Sequence, residues 1–297
     1  RLTVCMKQRV LTGIVGALLL LAVFMTFDTI FFNIAVLAAY FIALYEIYSA
    51  FKEQNAKALF LLLGIIGAYF VLLPYVPQVN NRLVIALLMG IYALITVASF
   101  DRIDFKTLSS SLMFGLYVLV GFASITYLKN ILPVAEYGRD GLFLFTMSVV
   151  VAWGSDIFAY FGGYLFGKHK LAPNLSPKKT IEGFVAGVLG ALVSTLLALW
   201  GYCNLKPILE GTALSYSVEF TQYVYVGLFA AVGAVVSVIG DLFASAVKRQ
   251  VGIKDYGNLL PGHGGILDRF DSVIILTPYM CAFAYYVAAK GGLFIVI

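Results

Sequence analysis

The stretch Val232-Gly233-Ala234-Val235-Val236-Ser237-Val238-Ile239-Gly240-Asp241-Leu242-Phe243-Ala244-Ser245-Ala246-Val247-Lys248-Arg249 is apolar or small at nearly every position until it meets Asp241, and it closes on two cations. It is the second part of a run over 221–247. A helix needs about 20 apolar residues to cross the hydrocarbon core of a bilayer, so the run predicts a membrane-spanning helix. On that helix Asp241, Ser245, Lys248 and Arg249 fall at i, i+4, i+7 and i+8 and share one face. A carboxylate inside the membrane boundary is costly and marks a functional position. Two cations above it suit an anion, and the carboxylate suits a metal ion. The plain alternative is a basic membrane anchor that happens to lie under an acidic residue.

The rest of the chain agrees with a membrane setting. Of 297 residues, 62% are hydrophobic and only 12% charged, against about half and about a quarter in soluble domains. About nine runs predict spans, at 10–27, 29–49, 58–76, 83–100, 108–128, 141–166, 182–202, 221–247 and 271–289. The predicted fold is an all-α integral membrane protein. Met6-Lys7-Gln8-Arg9 reads as a natural start, and 10–27 as an uncleaved first span, because no small-x-small cleavage site follows it.

Basic residues set the orientation. Arg1, Lys7, Arg9, Lys52, Lys57, Arg102, Lys106, Lys168, Lys170, Lys178, Lys179, Lys248, Arg249, Lys254 and Arg269 gather on one side. Arg82, Lys129, Arg139, Lys206 and Lys290 fall on the other. The N-terminus is expected in the cytoplasm and the C-terminus outside. A boundary near residue 140 separates a bland region, 1–140 with about five spans, from a chemically rich one, 141–297 with about four spans and two cytoplasmic loops. Cys5, Cys203 and Cys281 match no metal spacing. The net charge of +5 is scattered between apolar runs, and no nucleic-acid-binding motif accompanies it.

The chemistry gathers in those two loops. After Lys254-Asp255 comes Pro261-Gly262-His263-Gly264-Gly265-Ile266-Leu267-Asp268-Arg269-Phe270-Asp271. Its glycines let backbone approach a ligand closely, and successive N–H groups can cradle a phosphate. Asp268 and Asp271 stand at i and i+3, and oxygen ligands of this kind suit Mg²⁺. The other loop ends Ser176-Pro177-Lys178-Lys179-Thr180-Ile181-Glu182-Gly183. There two lysines precede a helix whose N-terminus itself attracts anions, and Thr180 can cap it. Asp156, in Trp153-Gly154-Ser155-Asp156-Ile157, is a second carboxylate inside a span. No Gly-x-Ser-x-Gly elbow, Walker loop or zinc signature occurs. Phosphate chemistry does without them, because a phosphomonoester oxygen is already an anion and needs alignment and charge neutralisation rather than a base.

The stretch Ser245-Ala246-Val247-Lys248-Arg249, then Lys254-Asp255, then Gly262 to Asp271 resembles the full signature of the phosphatidate cytidylyltransferase (CDP-diacylglycerol synthase) family. Ser176 to Gly183 resembles a second segment of that family, and Asp156 with Tyr160 and Gly163 a third. The resemblance covers roughly 140–289. It implies attack of the phosphate of phosphatidic acid on the α-phosphorus of CTP, giving CDP-diacylglycerol and pyrophosphate, with Mg²⁺ as cofactor and a second cation left open. It also implies roles. Asp241, Asp268 and Asp271 hold the metal. Lys248, Arg249 and Arg269 bind phosphates. Lys178, Lys179, Thr180 and Glu182 help fix CTP, and Asp156 acts as a ligand or orients a lysine. Ser245, Lys254, Asp255, His263, Gly264 and Gly265 complete the substrate-binding set.

The expected partners are CTP, phosphatidic acid and membrane lipid, with no nucleic acid. Small residues in the spans suit a homodimer as well as ordinary helix packing. The place is the cell membrane, with the site facing the cytoplasm. Three rivals stand beside this reading. A CDP-alcohol phosphatidyltransferase lacks its Asp-Gly-x-x-Ala-Arg core here. A CTP-dependent polyprenol kinase would need similar parts. A transporter would show repeated halves, and none is evident.

Overall fold

A computed structural model describes residues 2–51, 57–76, 80–211, 216–262, 264–293 and 295–296, with the side chains of 2–10, 210, 216, 295 and 296 outside the description. Among these residues helix dominates. The long elements are α1 (Leu2–Met25), α2 (Ile30–Phe51), α3 (Lys57–Val71), α4 (Asn81–Ala98), α5 (Phe105–Ile131), α7 (Asp140–Phe166), α8 (Ile181–Glu210), α9 (Phe220–Gln250) and α10 (Leu267–Ala289). A single-turn α6 (Val134–Tyr137) precedes α7. Strand is confined to two small antiparallel pairs, β1 (Lys170–Ala172) with β2 (Ser176–Thr180), and β3 (Tyr216–Ser217) with β4 (Ile295–Val296).

Each expected span coincides with one of the long helices. Seven of them, α2, α4, α5, α7, α8, α9 and α10, are long and apolar enough to cross a membrane among the described residues. The apolar part of α1 (Leu11–Met25) and α3 (Lys57–Val71) are shorter. The 15 residues of α3 rise about 22 Å at ~1.5 Å each, against a hydrocarbon core of ~30 Å. No residue of α4 is buried. It meets its neighbours at a few points, the Tyr69 hydroxyl donating to Asn81 Oδ1 at 2.6 Å and the Tyr92 hydroxyl to the Leu108 carbonyl at 3.3 Å, and an apolar helix so little covered by protein is solvated by lipid.

The chain divides into two compact units. The first comprises Arg1–Tyr127 with Gln250–Phe270; the second comprises Leu128–Arg249 with Asp271–Ile297. In the first unit α2 packs on α3. The buried Tyr40 hydroxyl donates to the Leu63 carbonyl at 2.7 Å, and Asn33 Nδ2 donates to the Val71 carbonyl at 2.7 Å. Both bonds satisfy polar groups that have no water to turn to. Phe270 returns to this core and meets Phe122 of α5, ring centroids 5.8 Å apart.

In the second unit α7 and α8 pack through small residues, Ser155, Ala159 and Gly162 against Gly183, Ala186 and Gly187, while Gly190 makes room for Phe158. A Cβ at Gly162 would lie 2.3 Å from Ala186 Cβ, and one at Gly187 2.8 Å from the Ser155 carbonyl oxygen. This backbone proximity is how small residues drive helix association in lipid. At the far end of the same pair, Lys206 is not a loop cation: it lies within α8, buried, and forms an ion pair with the buried Asp140 at the start of α7. Helices α9 and α10 meet on an aromatic stack of Phe229 on Tyr279, centroids 3.9 Å apart and rings within 5° of parallel.

Candidate active site

The second unit brings together most of the charged residues that the motifs single out. Where α7 ends, residues 167–183 form a two-stranded ribbon rather than an open loop, and the ribbon delivers the chain into α8. Thr180 is the N-cap of α8, its hydroxyl accepting the Gly183 N–H at 3.1 Å. A Cβ at Gly163, Gly167 or Gly183 would each stand 2.9 Å from that hydroxyl, so glycine on three sides makes room for the cap. Glu182 turns back and ties the ribbon to the helix. Its carboxylate accepts the Lys168 N–H at 3.0 Å and the His169 N–H at 3.2 Å, and pairs with His169 Nδ1 at 2.6 Å.

The cap fixes the residue before it. Lys179 is half-buried and reaches α9, where its ammonium pairs with the Asp241 carboxylate; Lys178 is exposed. Next to Asp241, Gly240 allows α10 to come close: a Cβ there would stand 2.3 Å from Ile275 Cγ2 and 3.1 Å from the Asp271 carbonyl oxygen. Asp271 is 8% exposed. Lys248 Nζ lies 3.9 Å from its Oδ2, a distance that leaves the pair at the edge of direct contact. Two lysine–aspartate pairs therefore link β2 to α9 and α9 to α10, and Asp156 on α7 is exposed. Ser245, half-buried, is one turn beyond Asp241, and Arg249 is exposed at the end of α9.

The first unit holds the glycine-rich segment. Leu260 N–H donates to the Gly264 carbonyl at 2.9 Å, closing a tight turn in which Gly262 and Gly264 have φ of 77° and 85°. That is the left-handed region where a side chain is strained. His263 lies outside the described residues. A cavity of about 310 Å³ opens beside the turn, lined by Lys254, Asp255, Asn258, Leu260, Pro261, Gly262, Gly264 and Arg269. Two cations on a polar cavity floored by glycine backbone suit a phosphate group. Asp268 is 7% exposed. Its Oδ2 accepts the N–H groups of Tyr256 at 2.8 Å and Gly265 at 3.0 Å, so this oxygen holds the turn against α10.

One acidic residue belongs with this segment although no motif contains it. Glu46, near the end of α2 and 5% exposed, accepts the N–H of Ile266 at 2.9 Å and of Leu267 at 2.8 Å. The rule that flags Asp156 and Asp241, a carboxylate inside an apolar run, applies equally to Glu46 within 29–49.

Among the described residues no three or more His, Cys, Asp or Glu converge so as to hold a metal ion. The donor chemistry of the second unit still fits Mg²⁺. That ion is usually held by one or two carboxylates while keeping waters and substrate phosphates, and Asp241 and Asp271 supply two, each with an ammonium beside it where positive charge is favoured.

Comparison with known proteins settles the class. The sequence model of the Cytidylyltransferase family matches residues 7–287, and the chain belongs to this family. The match takes in the N-terminal helices as well as the signature region. Among curated proteins the chain is similar to the phosphatidate cytidylyltransferase of Bacillus subtilis (strain 168), 33% identical over 286 residues that cover 93% of this chain and 96% of that protein. It is likewise similar to the phosphatidate cytidylyltransferases of Staphylococcus haemolyticus (32%, 93% and 97% covered) and Staphylococcus aureus strain COL (31%, 93% and 97% covered).

Proposed function

We propose that this chain is a membrane-embedded phosphatidate cytidylyltransferase, which converts CTP and phosphatidic acid to CDP-diacylglycerol and pyrophosphate. The observation that carries the reading is the pairing of Lys179 with Asp241 and of Lys248 with Asp271 on three elements of one unit, in a chain whose relatives bear that name.

In the reaction a phosphate oxygen of phosphatidic acid forms a bond to the α-phosphorus of CTP, and the bond from that phosphorus to the bridging α–β oxygen breaks. Pyrophosphate leaves with the electron pair. The attacking oxygen is already anionic, so the protein's task is to align two polyanions and neutralise the charge that gathers between them. Lys179 at the mouth of α8 and Lys248 on α9 bring positive charge to the phosphates, and the N-terminus of α8 adds its dipole. Arg269 and Lys254 offer a phosphate seat on the cavity of the glycine turn. Asp241 and Asp271 are the residues that would hold Mg²⁺, which supplies Lewis-acid polarisation of phosphoryl oxygens when bound. Asp156 orients a lysine of the set.

The division of labour near residue 140, nine spans with a cytoplasmic N-terminus, and a site open to the cytoplasm of a bacterial cell membrane belong to the same proposal. The skew of lysine and arginine toward one side supports the orientation, in which the lysine-bearing ends would face the compartment that holds CTP.

The test is product formation by the purified chain in nanodiscs with CTP, phosphatidic acid and Mg²⁺. Pyrophosphate and CDP-diacylglycerol are expected in equal amounts, with loss when phosphatidic acid is left out, when Mg²⁺ is chelated, and in Asp241→Asn. Release of CDP instead, with a polyprenol as acceptor, would replace the reading by a CTP-dependent kinase. A chain that is folded and forms neither product would end it.

A further inference from the structure

We infer that Glu46 of α2 is a positioning residue for the reaction, holding the glycine turn and the first turn of α10 in the geometry that presents Asp268 and Arg269. The rate effect rests on the cytidylyltransferase reading above; the holding itself does not.

The case starts from the orphan amides of a helix start. The first N–H groups of α10 have no partner within the helix, and Leu267, which opens it, is buried. Glu46, 5% exposed, accepts the Leu267 N–H with one oxygen at 2.8 Å and the Ile266 N–H with the other at 2.9 Å. A carboxylate at a helix N-terminus also meets the positive end of the helix dipole.

Space has been cleared for it. A Cβ on Gly265 would lie 2.3 Å from Glu46 Oε1, and a Cβ on Gly257 2.4 Å from the same oxygen. Gly257 and, within the signature, Gly265 therefore make room for a protein carboxylate, not only for a ligand. The segment is closed from its other side by Asp268, whose Oδ2 takes the Tyr256 and Gly265 amides. Residues 256–267 are thus clamped between two carboxylates, one from α10 and one 220 residues earlier in the chain. Arg269 and the phosphate-sized cavity follow directly from that clamp. If Glu46 lets go, the turn stays tied to the start of α10 through Asp268 but both lose their fixed place against α2.

The experiment uses the full chain in nanodiscs. Glu46→Gln keeps the shape but turns one acceptor into a donor facing an N–H. Two readouts are taken, kcat per folded molecule and hydrogen–deuterium exchange of the peptide covering 256–268 without substrate. The expected result is faster exchange in that peptide and a kcat lower by roughly 10- to 100-fold, the scale on which a misplacement of about 1 Å acts. A structural role alone would lower the folded fraction and leave kcat per folded molecule unchanged, and that result overturns the inference. So does a loss of kcat with unchanged exchange. Should Glu46→Gln fail to fold, Gly265→Ala carries the same test with native Glu46, since its methyl group would press on the carboxylate. Faster exchange of the 256–268 peptide together with a lower kcat per folded molecule is expected; wild-type kcat in a folded Gly265→Ala chain, or a loss of kcat with unchanged exchange, overturns the inference. If the wild-type chain makes no CDP-diacylglycerol, the functional reading falls, and exchange alone decides whether Glu46 holds the turn.

Discussion

Replacing Gly240 by alanine tests whether helix packing sets the distance between the two aspartates of the second unit. The new Cβ would stand 2.3 Å from Ile275 Cγ2 and 3.1 Å from the Asp271 carbonyl oxygen. Carbon atoms rest at ~3.5–4.0 Å, so the contact with Ile275 must open by about 1.2–1.7 Å. Ile275 can turn part of the way, but the Asp271 carbonyl is backbone and moves only if α10 moves. Overpacking of this kind costs ~1–3 kcal/mol, which a helical bundle survives. Its functional cost is larger, because the displacement falls on the neighbour of Asp241 and on Asp271 itself. A shift of about 1 Å at reacting groups lowers rate by about 100-fold, and that is the expected loss in kcat. The assay is pyrophosphate release in nanodiscs, with thermal unfolding measured on the same preparation. Gly240→Ala combined with Ile275→Ala removes the offending methyl and should recover about tenfold of the lost rate. Wild-type kcat in a folded Gly240→Ala chain would refute the link between packing and aspartate geometry, as would a double variant no better than the single one.

Two further outcomes follow from the fold. Lys206→Ala leaves Asp140 buried without its cation, both side chains being 6% exposed, and should destabilise the chain by about 3–5 kcal/mol in a detergent unfolding titration; Asp140→Leu with Lys206→Met should restore most of it, because a buried pair is often replaceable by apolar residues. Thr180→Val keeps the side-chain shape but removes the oxygen that accepts the Gly183 N–H, so it should cost about 1 kcal/mol and raise protease sensitivity at the ribbon, read by limited proteolysis.

Span positions were legible because the bilayer writes them directly: each long helix lies under an apolar run of the expected place. Lengths were less so. Lys57–Val71 ends as α-helix before the apolar run does, at Leu73-Pro74-Tyr75, where a 3-10 turn takes over, and a proline lacks the N–H that would continue the ladder. The helix N-cap at Thr180 was readable from its residue type and its place before an apolar run. The ribbon ahead of it was not, since Lys170–Ala172 and Ser176–Thr180 have no apolar alternation and pair only because Glu182 and the cap hold their ends. Lys206 reads as a loop cation until its partner Asp140, 66 positions away, is known. Glu46 carried a visible signal, a carboxylate in an apolar run, yet its partners are backbone amides, which no side-chain motif records.

The first unit is discontinuous in the chain, built from Arg1–Tyr127 and then Gln250–Phe270. A ribosome therefore makes its two parts at different times. Elongation at ~5–20 residues per second puts roughly 6–25 s between the end of α5's share and the arrival of residue 250. Throughout that interval Glu46 waits in the membrane without the amides it caps, and the second unit's helices α7 to α9 are threaded first. Synthesis thus interleaves the two units: the one begun earliest is completed only at Phe270, after most of the second has been made and just before Asp271–Ile297 completes that one, and the carboxylate of α2 lacks its partners until the glycine turn emerges.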